Sequence, residues 1–254
     1  MTLIDTHAHL EQIEDLPAVL LRAHETGVKA VMAMSVDLSS MEKTLAIAKA
    51  YQQPRIYPAL GVHPGLVKPE LFDASMAFIQ EHIKEAAAIG ETGLDYWYKW
   101  VRKDLVERAK QHQFFKAHLA IAKTFDLPIV IHSRGAWRDC LAMAQEAGVK
   151  RALFHWYSGP LDIMDKILAA GYYVSTSPSV GYSVESQTAM REAPLNRILI
   201  ETDAPVSYRN GEEVFKSEPR HVALTLKALA TLKNMPEGEL AEIVNHNAVT
   251  FFGI

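Results

Sequence analysis

The sequence predicts a (β/α)8, TIM-type barrel, and three observations carry that reading. Short apolar runs rich in β-branched residues alternate with helical patterns through 254 residues, the length and rhythm of such a barrel. No glycine-rich phosphate loop follows the first run, which disfavours an open doubly wound sheet. Residues able to bind metal stand just past several of the runs, where a barrel would gather them at the C-terminal mouth of its strands. The composition, 49% hydrophobic and 22% charged, is ordinary globular usage. No linker marks a second domain, so one barrel domain spanning 1–254 is expected, with its active site at that mouth.

In chain order, Leu3-Ile4-Asp5-Thr6 opens the first strand and runs into His7 and His9. Period-two alternation would put Asp5, His7 and His9 on one face. Further strands are expected at Val28–Ser35, Arg55–Leu60, Ala86–Gly90, Pro128–Ile131, Ala152–Phe154, Tyr172–Ser175 and Arg197–Ile200. Helical patterns lie between them near 15–26, 38–51, 71–84, 104–125, 136–147, 160–169 and 184–193, and two more follow near 219–233 and 236–251. Internal repeats and low-complexity segments are absent.

The informative residues follow the strands. Gly61-Val62-His63-Pro64 ends the third, and Gly90-Glu91-Thr92-Gly93-Leu94-Asp95-Tyr96 ends the fourth. Ile131-His132-Ser133-Arg134 ends the fifth, Phe154-His155-Trp156-Tyr157-Ser158-Gly159 the sixth, and Glu201-Thr202-Asp203-Ala204-Pro205 the eighth. A lone pair of histidines is a weak signal, and one strand-end histidine is more often a satisfied polar residue than a ligand. The whole set at one mouth is a candidate two-metal site. Glu91, the carboxylate central to the ring, is the expected bridge; His7, His9 and Asp203 complete one site, and His132 and His155 the other. Two ions about 3.5–4 Å apart can hold the attacking and leaving oxygens of a displacement and lower the pKa of a bound water. Mixed nitrogen and oxygen ligands admit zinc, manganese or magnesium, with histidine favouring the first two.

Asp203 is also a candidate base for that water, and Glu91 is the second candidate catalytic residue. Glu201, two residues earlier on the same strand face, suits a supporting role that fixes a ligand histidine or a water. His63 has three readings: a phosphate contact, part of a metal shell, or a brace for its loop. Arg134 is either a phosphate clamp, since guanidinium matches phosphate bidentately, or a surface ion pair. The run Tyr96-Trp97-Tyr98-Lys99-Trp100-Val101-Arg102-Lys103 interleaves rings and cations. Bases can stack on such rings while the cations meet phosphates, with Trp97 and Trp100 the candidate platforms; the alternative is a packed loop. His24, His82, His112, His118, His221 and His246 fall in helical patterns and read as surface or packing residues.

Charge and cysteine usage limit the partners. The formal net charge is −4, so any nucleic-acid contact is local rather than a basic coat. The single cysteine, Cys140, suits a reducing compartment. With no secretory pattern and no bilayer-spanning apolar stretch, a cytoplasmic protein without membrane association is expected.

Taken together, these motifs resemble the TatD family of metal-dependent deoxyribonucleases, a branch of the amidohydrolase-like barrels, and the resemblance runs nearly end to end. It rests on Leu3–Leu10, Gly61–Pro64, Gly90–Tyr96, Pro128–Arg134 and Ile200–Pro205. It implies His7, His9, Glu91, His132, His155 and Asp203 as ligands of divalent metal, Asp203 as base, and phosphodiester hydrolysis of DNA, often exonucleolytic. The substrate-facing loops depart from the family pattern. Glu11 follows the first motif where Asp or Asn is usual, His155-Trp156-Tyr157-Ser158-Gly159 replaces His-Cys-Phe-Ser-Gly, and Thr176-Ser177-Pro178-Ser179 stands where Phe-Ser-Gly is usual. The usual basic run before Glu218-Pro219 is missing. Three readings follow: a nuclease for single-stranded DNA or DNA ends, an amidohydrolase-type enzyme acting on a small C–N or ester substrate with the same metals, and a barrel kept for binding. The intact ligand set disfavours the last, and Arg134 with the aromatic run favours the first.

Overall fold

A computed structural model describes residues 1–254, the side chain of Asn210 excepted. Eight parallel strands lie side by side in chain order: β1 (Leu3–Ala8), β2 (Val28–Met34), β3 (Arg55–Leu60), β4 (Ala88–Gly93), β5 (Ile129–His132), β6 (Ala152–Phe154), β7 (Tyr173–Thr176) and β8 (Ile198–Ile200). Around them pack α1 (Leu16–Glu25), α2 (Leu38–Ala50), α3 (Phe72–Glu81), α4 (Leu105–Phe125), α5 (Trp137–Ala147), α6 (Leu161–Ala169), α7 (Val184–Glu192), α8 (Val222–Lys233) and α9 (Glu237–Phe252). The expected (β/α)8 barrel is the observed fold. One element is new. The loop after β8 holds an antiparallel hairpin of β9 (Ser207–Asn210) and β10 (Glu213–Lys216).

The barrel has two cores, and the strand pleat separates them. Ile4, Met32, Val130, Leu153, Tyr173 and Leu199 form an inner cluster closed at the bottom by Phe251 and Phe252. Their strand neighbours Leu3, Val31, Ile129, Phe154, Val174 and Ile200 face outward into the helical shell. Continuing that alternation past the last apolar residue turns His132, His155 and Glu201 inward at the top. Side chains finish the closure between β1 and β8. Thr6 Oγ1 donates to Ile200 O at 2.9 Å, and Thr202 donates its N–H and Oγ1–H to the Asp5 carboxylate at 2.9 and 2.6 Å. Backbone bonds His9 N to Ala204 O and Asp203 N to His7 O, at 2.7 and 2.8 Å, complete the seam.

Two strands break the alternation, and both deliver site residues. In β1 the register slips between Asp5 and Ala8, and in β4 between Ile89 and Thr92. An extra residue in one strand reverses which neighbours face inward. That reversal corrects the expectation that Asp5, His7 and His9 share one face: Ile4 and Ala8, of equal parity, lie in different cores. Asp5 joins β1 to β8, while His7 and His9 enter the mouth. Among the described residues, no helix is long and apolar enough to cross a membrane.

Candidate two-metal centre

The strand ends bring His7, His9, Glu91, His132, His155 and Asp203 together, although 196 positions separate the first from the last in sequence. His7 Nε2 and His9 Nε2 lie 3.3 Å apart. His7 Nε2 is 3.6 Å from Glu91 Oε2 and 3.5 Å from Asp203 Oδ1; His9 Nε2 is 3.4 and 3.3 Å from the same atoms. A tetrahedron of ligands at about 2.0–2.1 Å from a cation has edges of about 3.3–3.4 Å. These four atoms therefore outline a cation nest. Two imidazole nitrogens aimed at each other and at two carboxylates need positive charge between them, because neutral rings offer at most one N–H each.

Glu91 Oε1 faces a second group. His132 Nδ1 and His155 Nε2 each lie 2.8 Å from it, and 3.4 Å from each other. Both rings are held from behind by a carboxylate. His132 Nε2 is 2.9 Å from Asp95 Oδ2, and His155 Nδ1 is 3.3 Å from Glu201 Oε1. Ser175 Oγ donates to the other Glu201 oxygen at 2.6 Å. A carboxylate behind a histidine fixes the ring's orientation and leaves its inner nitrogen for a cation. The donor chemistry thus fits divalent metal, which Glu91 and the histidines on either side of it would hold.

Electrostatics agree with that fit. Burial opposes ionisation of Glu91, yet His155 and His63 outweigh it and hold its carboxyl well below the usual range. Asp203 is likewise held low, by His9 and His7 against burial. His9, although buried, is pushed up to about 10 by Asp203 and Glu91, and His132 is raised against burial by Asp95 and Glu91. The carboxylates of Glu91 and Asp203 thus stay ionised although buried. Asp203 has a positive φ of 49°, a backbone conformation that non-glycine residues adopt at a cost and that clusters at functional sites.

The other expected site residues separate. His63 lies at the edge, with Nε2 3.3 Å from His132 Nδ1 and 3.8 Å from Glu91 Oε1. Its Nδ1 accepts the Gly65 N–H at 3.0 Å, so the neutral ring carries its proton on Nε2. Burial pushes its pKa down to about 3, which keeps the ring neutral at physiological pH. Arg134 is not a plain surface residue. Its Nε and a terminal nitrogen reach Asp95 Oδ2 at 2.9 and 2.8 Å, and its guanidinium lies 5.2 Å from the Tyr98 ring centre.

Trp97 is 68% exposed, and its ring overlies Gly135, where a Cβ would collide with it. It lines a cavity of about 1010 Å³ above the centre, together with Arg134, Trp156 and Tyr182. The expectation for Trp100 needs correction: it stacks on Tyr98 at 4.3 Å outside that cavity, and Tyr98 takes the lining position. The chain turns at Asp95, whose Oδ1 accepts the Trp97 N–H, and that turn carries Tyr98 inward.

Sequence reasoning missed two contributors. Asp95 stands in a motif singled out for Glu91, yet only the return of the loop toward β5 shows that it supports both His132 and Arg134. His118, read as a surface or packing residue of a helix, is fully buried; its Nδ1 donates to Phe114 O at 2.7 Å and its Nε2 accepts Val62 N–H at 3.1 Å. It thereby fixes the residue before His63. A histidine at a buried helical position was the only available signal.

Comparison with known proteins agrees with the geometry. The family described as TatD related DNase matches residues 4–253. Human deoxyribonuclease TATDN3 is 29% identical over 262 residues, covering 98% of this chain and 94% of its own. The metal-dependent hydrolase YabD of Bacillus subtilis is 31% identical over 262 residues, with 99% of each chain covered. Among solved structures, the TatD homologue YjjV of Escherichia coli superposes with a TM-score of 0.90 at 27% identity, covering 99% of this chain and 98% of its own.

Proposed function

Since the chain belongs to the TatD family of DNases, metal-dependent hydrolases by family, we propose that it hydrolyses phosphodiester bonds at the ends of single-stranded DNA using two divalent ions. The observation that carries this reading is the division of Glu91: Oε2 serves the His7, His9 and Asp203 nest while Oε1 serves His132 and His155. In our reading these six residues hold the ions, zinc or manganese by the preference of imidazole. When bound, the ions supply Lewis acidity at a phosphoryl oxygen and make water acidic enough to attack at neutral pH.

The chain's own groups do the rest. Asp203, kept ionised, takes a proton from the attacking water. Water oxygen bonds to phosphorus, the bond from phosphorus to the leaving nucleoside oxygen breaks, and that oxygen is protonated by solvent. His63 donates its Nε2–H to a phosphate oxygen. Arg134, braced by Asp95, holds the neighbouring phosphate, and Trp97 and Tyr98 receive bases at the rim. Asp95 and Glu201 keep His132 and His155 in position. We place the enzyme in the cytoplasm, consistent with one buried free cysteine.

The test is digestion of end-labelled single- and double-stranded oligonucleotides by the metal-loaded protein, with products resolved by length. Stepwise shortening from one end supports the proposal. Cleavage of small esters or amides alone, with oligonucleotides untouched, would move the assignment to an amidohydrolase-type substrate.

A further inference from the structure

The walls of the cavity differ in charge. Arg134 is the one Arg or Lys among its lining residues. On that side the loop bearing Trp97 also exposes Lys99, Arg102 and Lys103. The far wall, from the loops after β6 and β7 and the start of α7, is built from Trp156, Ser179, Tyr182, Ser183, Glu185 and Ser186. It offers rings and hydroxyls, and its single charge is negative.

That wall is pre-shaped. Trp156 Nε1 donates to Ser179 Oγ at 2.8 Å, and its ring packs on the buried Tyr208 of the hairpin at 5.4 Å. Trp156 itself stands at φ 42°, a backbone cost that the packing has to hold. The first turn of α7 would ordinarily attract an anion, but here it is already served. Ser183 Oγ accepts the Ser186 N–H at 3.3 Å, and Glu185 sits in that turn with Ser183 Oγ donating to it at 3.0 Å. The Glu185 carboxyl is held low by its own backbone N–H and by Ser183, and it stays ionised at neutral pH.

Resting on the nuclease reading, we infer that this wall is the pocket for the terminal nucleoside of the strand and that Glu185 selects a free hydroxyl end over a phosphorylated one. The remaining strand leaves across the cationic loop. A terminal phosphate placed beside Glu185 would set up to two negative charges against one, whereas sugar hydroxyls and base edges find serines and a carboxylate acceptor. Like charges at such a rim interact through water and are screened by salt, so the discrimination is modest and salt-dependent.

The probes are three internally labelled single-stranded pentanucleotides of one sequence: one with hydroxyls at both ends, one with a 5′-phosphate and one with a 3′-phosphate. Rates are measured with the metal-loaded enzyme, and binding is measured by anisotropy with the slow Asp203→Asn variant. Phosphorylation of one end, and not the other, is expected to lower kcat/KM and affinity about tenfold at low salt. That penalty should shrink in 0.5 M salt (roughly a 4 Å screening length). Glu185→Gln should remove most of it, and Glu185→Asp should restore it. Equal rates and equal binding for the three strands, or a penalty that survives Glu185→Gln, overturns the inference. Binding that discriminates in the expected way without cleavage sustains it while rejecting the nuclease chemistry; neither binding nor cleavage rejects both.

Discussion

Asp95 Oδ2 accepts from His132 Nε2 at 2.9 Å and from the Arg134 guanidinium at 2.8 Å, so one buried oxygen sets both a candidate metal ligand and a candidate phosphate clamp. Asp95→Asn keeps the shape but can present an N–H to the His132 N–H, turning the ring or breaking the bond. Loss of such a supporting carboxylate typically lowers metal affinity or activity 10- to 100-fold. We expect kcat/KM to fall within that range, with a matching loss of metal in competition against a chelator. Unchanged affinity and unchanged turnover would show that Asp95 positions neither residue.

Glu91 serves two nests at once, so its removal is expected to empty both. In Glu91→Ala, metal per chain measured by elemental analysis should fall together with activity. The fold should survive, because the residue is held by the cluster rather than by the core; circular dichroism checks this. Full occupancy of both positions in the variant would refute the bridging role.

Much of this was legible in the sequence. Periodicity located the strands and helices because each barrel strand is apolar on both faces and each helix on one. It also placed His132, His155 and Glu201, which continue an unbroken alternation. It failed for Asp5, because a register slip between Asp5 and Ala8 has no local signature. The hairpin after β8 was missed although Ser207-Tyr208-Arg209 and Val214-Phe215-Lys216 flank a glycine turn. Tyr208, its one deeply buried anchor among the described side chains, packs against Trp156, a contact set by tertiary structure. Trp97 and Trp100 are equivalent in sequence; only the turn at Asp95 separates them.

Asp203→Asn tests proton transfer apart from metal binding. Asparagine offers an oxygen ligand of similar shape but no longer accepts a proton. With metal content matched to wild type, turnover should drop by about 100-fold or more, within the usual contribution of general-base catalysis. Near-normal turnover in a metal-saturated preparation would remove Asp203 from that role.

His118 makes a prediction about pH. Burial lowers its pKa from 6.5 to about 4, so the unfolded chain binds a proton more readily than the folded one. A depressed histidine contributes nothing adverse above about pH 6.5 and destabilises as pH falls from there towards 4. The maximum loss is roughly 3 kcal/mol, since each tenfold difference in proton affinity between the two states is worth about 1.36 kcal/mol. Urea titrations of wild type and His118→Gln between pH 7 and 4.5 should show a shallower fall in the variant. Parallel curves would mean that another group carries the dependence. Since His118 holds Val62 beside His63, the variant should also raise KM at pH 7.

Trp97 and Trp100, alike in the sequence, take different places in the structure. Trp97 is exposed and lines the cavity, while Trp100 is 55% exposed and stacked on Tyr98 away from it. Base stacking on an aromatic side chain is worth about 1–3 kcal/mol per base. Trp97→Ala should therefore lower kcat/KM on a single-stranded oligonucleotide by about tenfold or more, since about 1.4 kcal/mol corresponds to a factor of ten. Trp100→Ala should cost less, acting only through the seating of Tyr98. On a small phosphodiester without bases, both variants should match wild type, because no ring is engaged. Arg134→Ala should impair the oligonucleotide reaction through KM and turnover together, if the phosphate contact tightens in the transition state. Equal losses for both tryptophans on both substrates would mean that the loop acts by packing alone, and base recognition would have to lie elsewhere on the mouth.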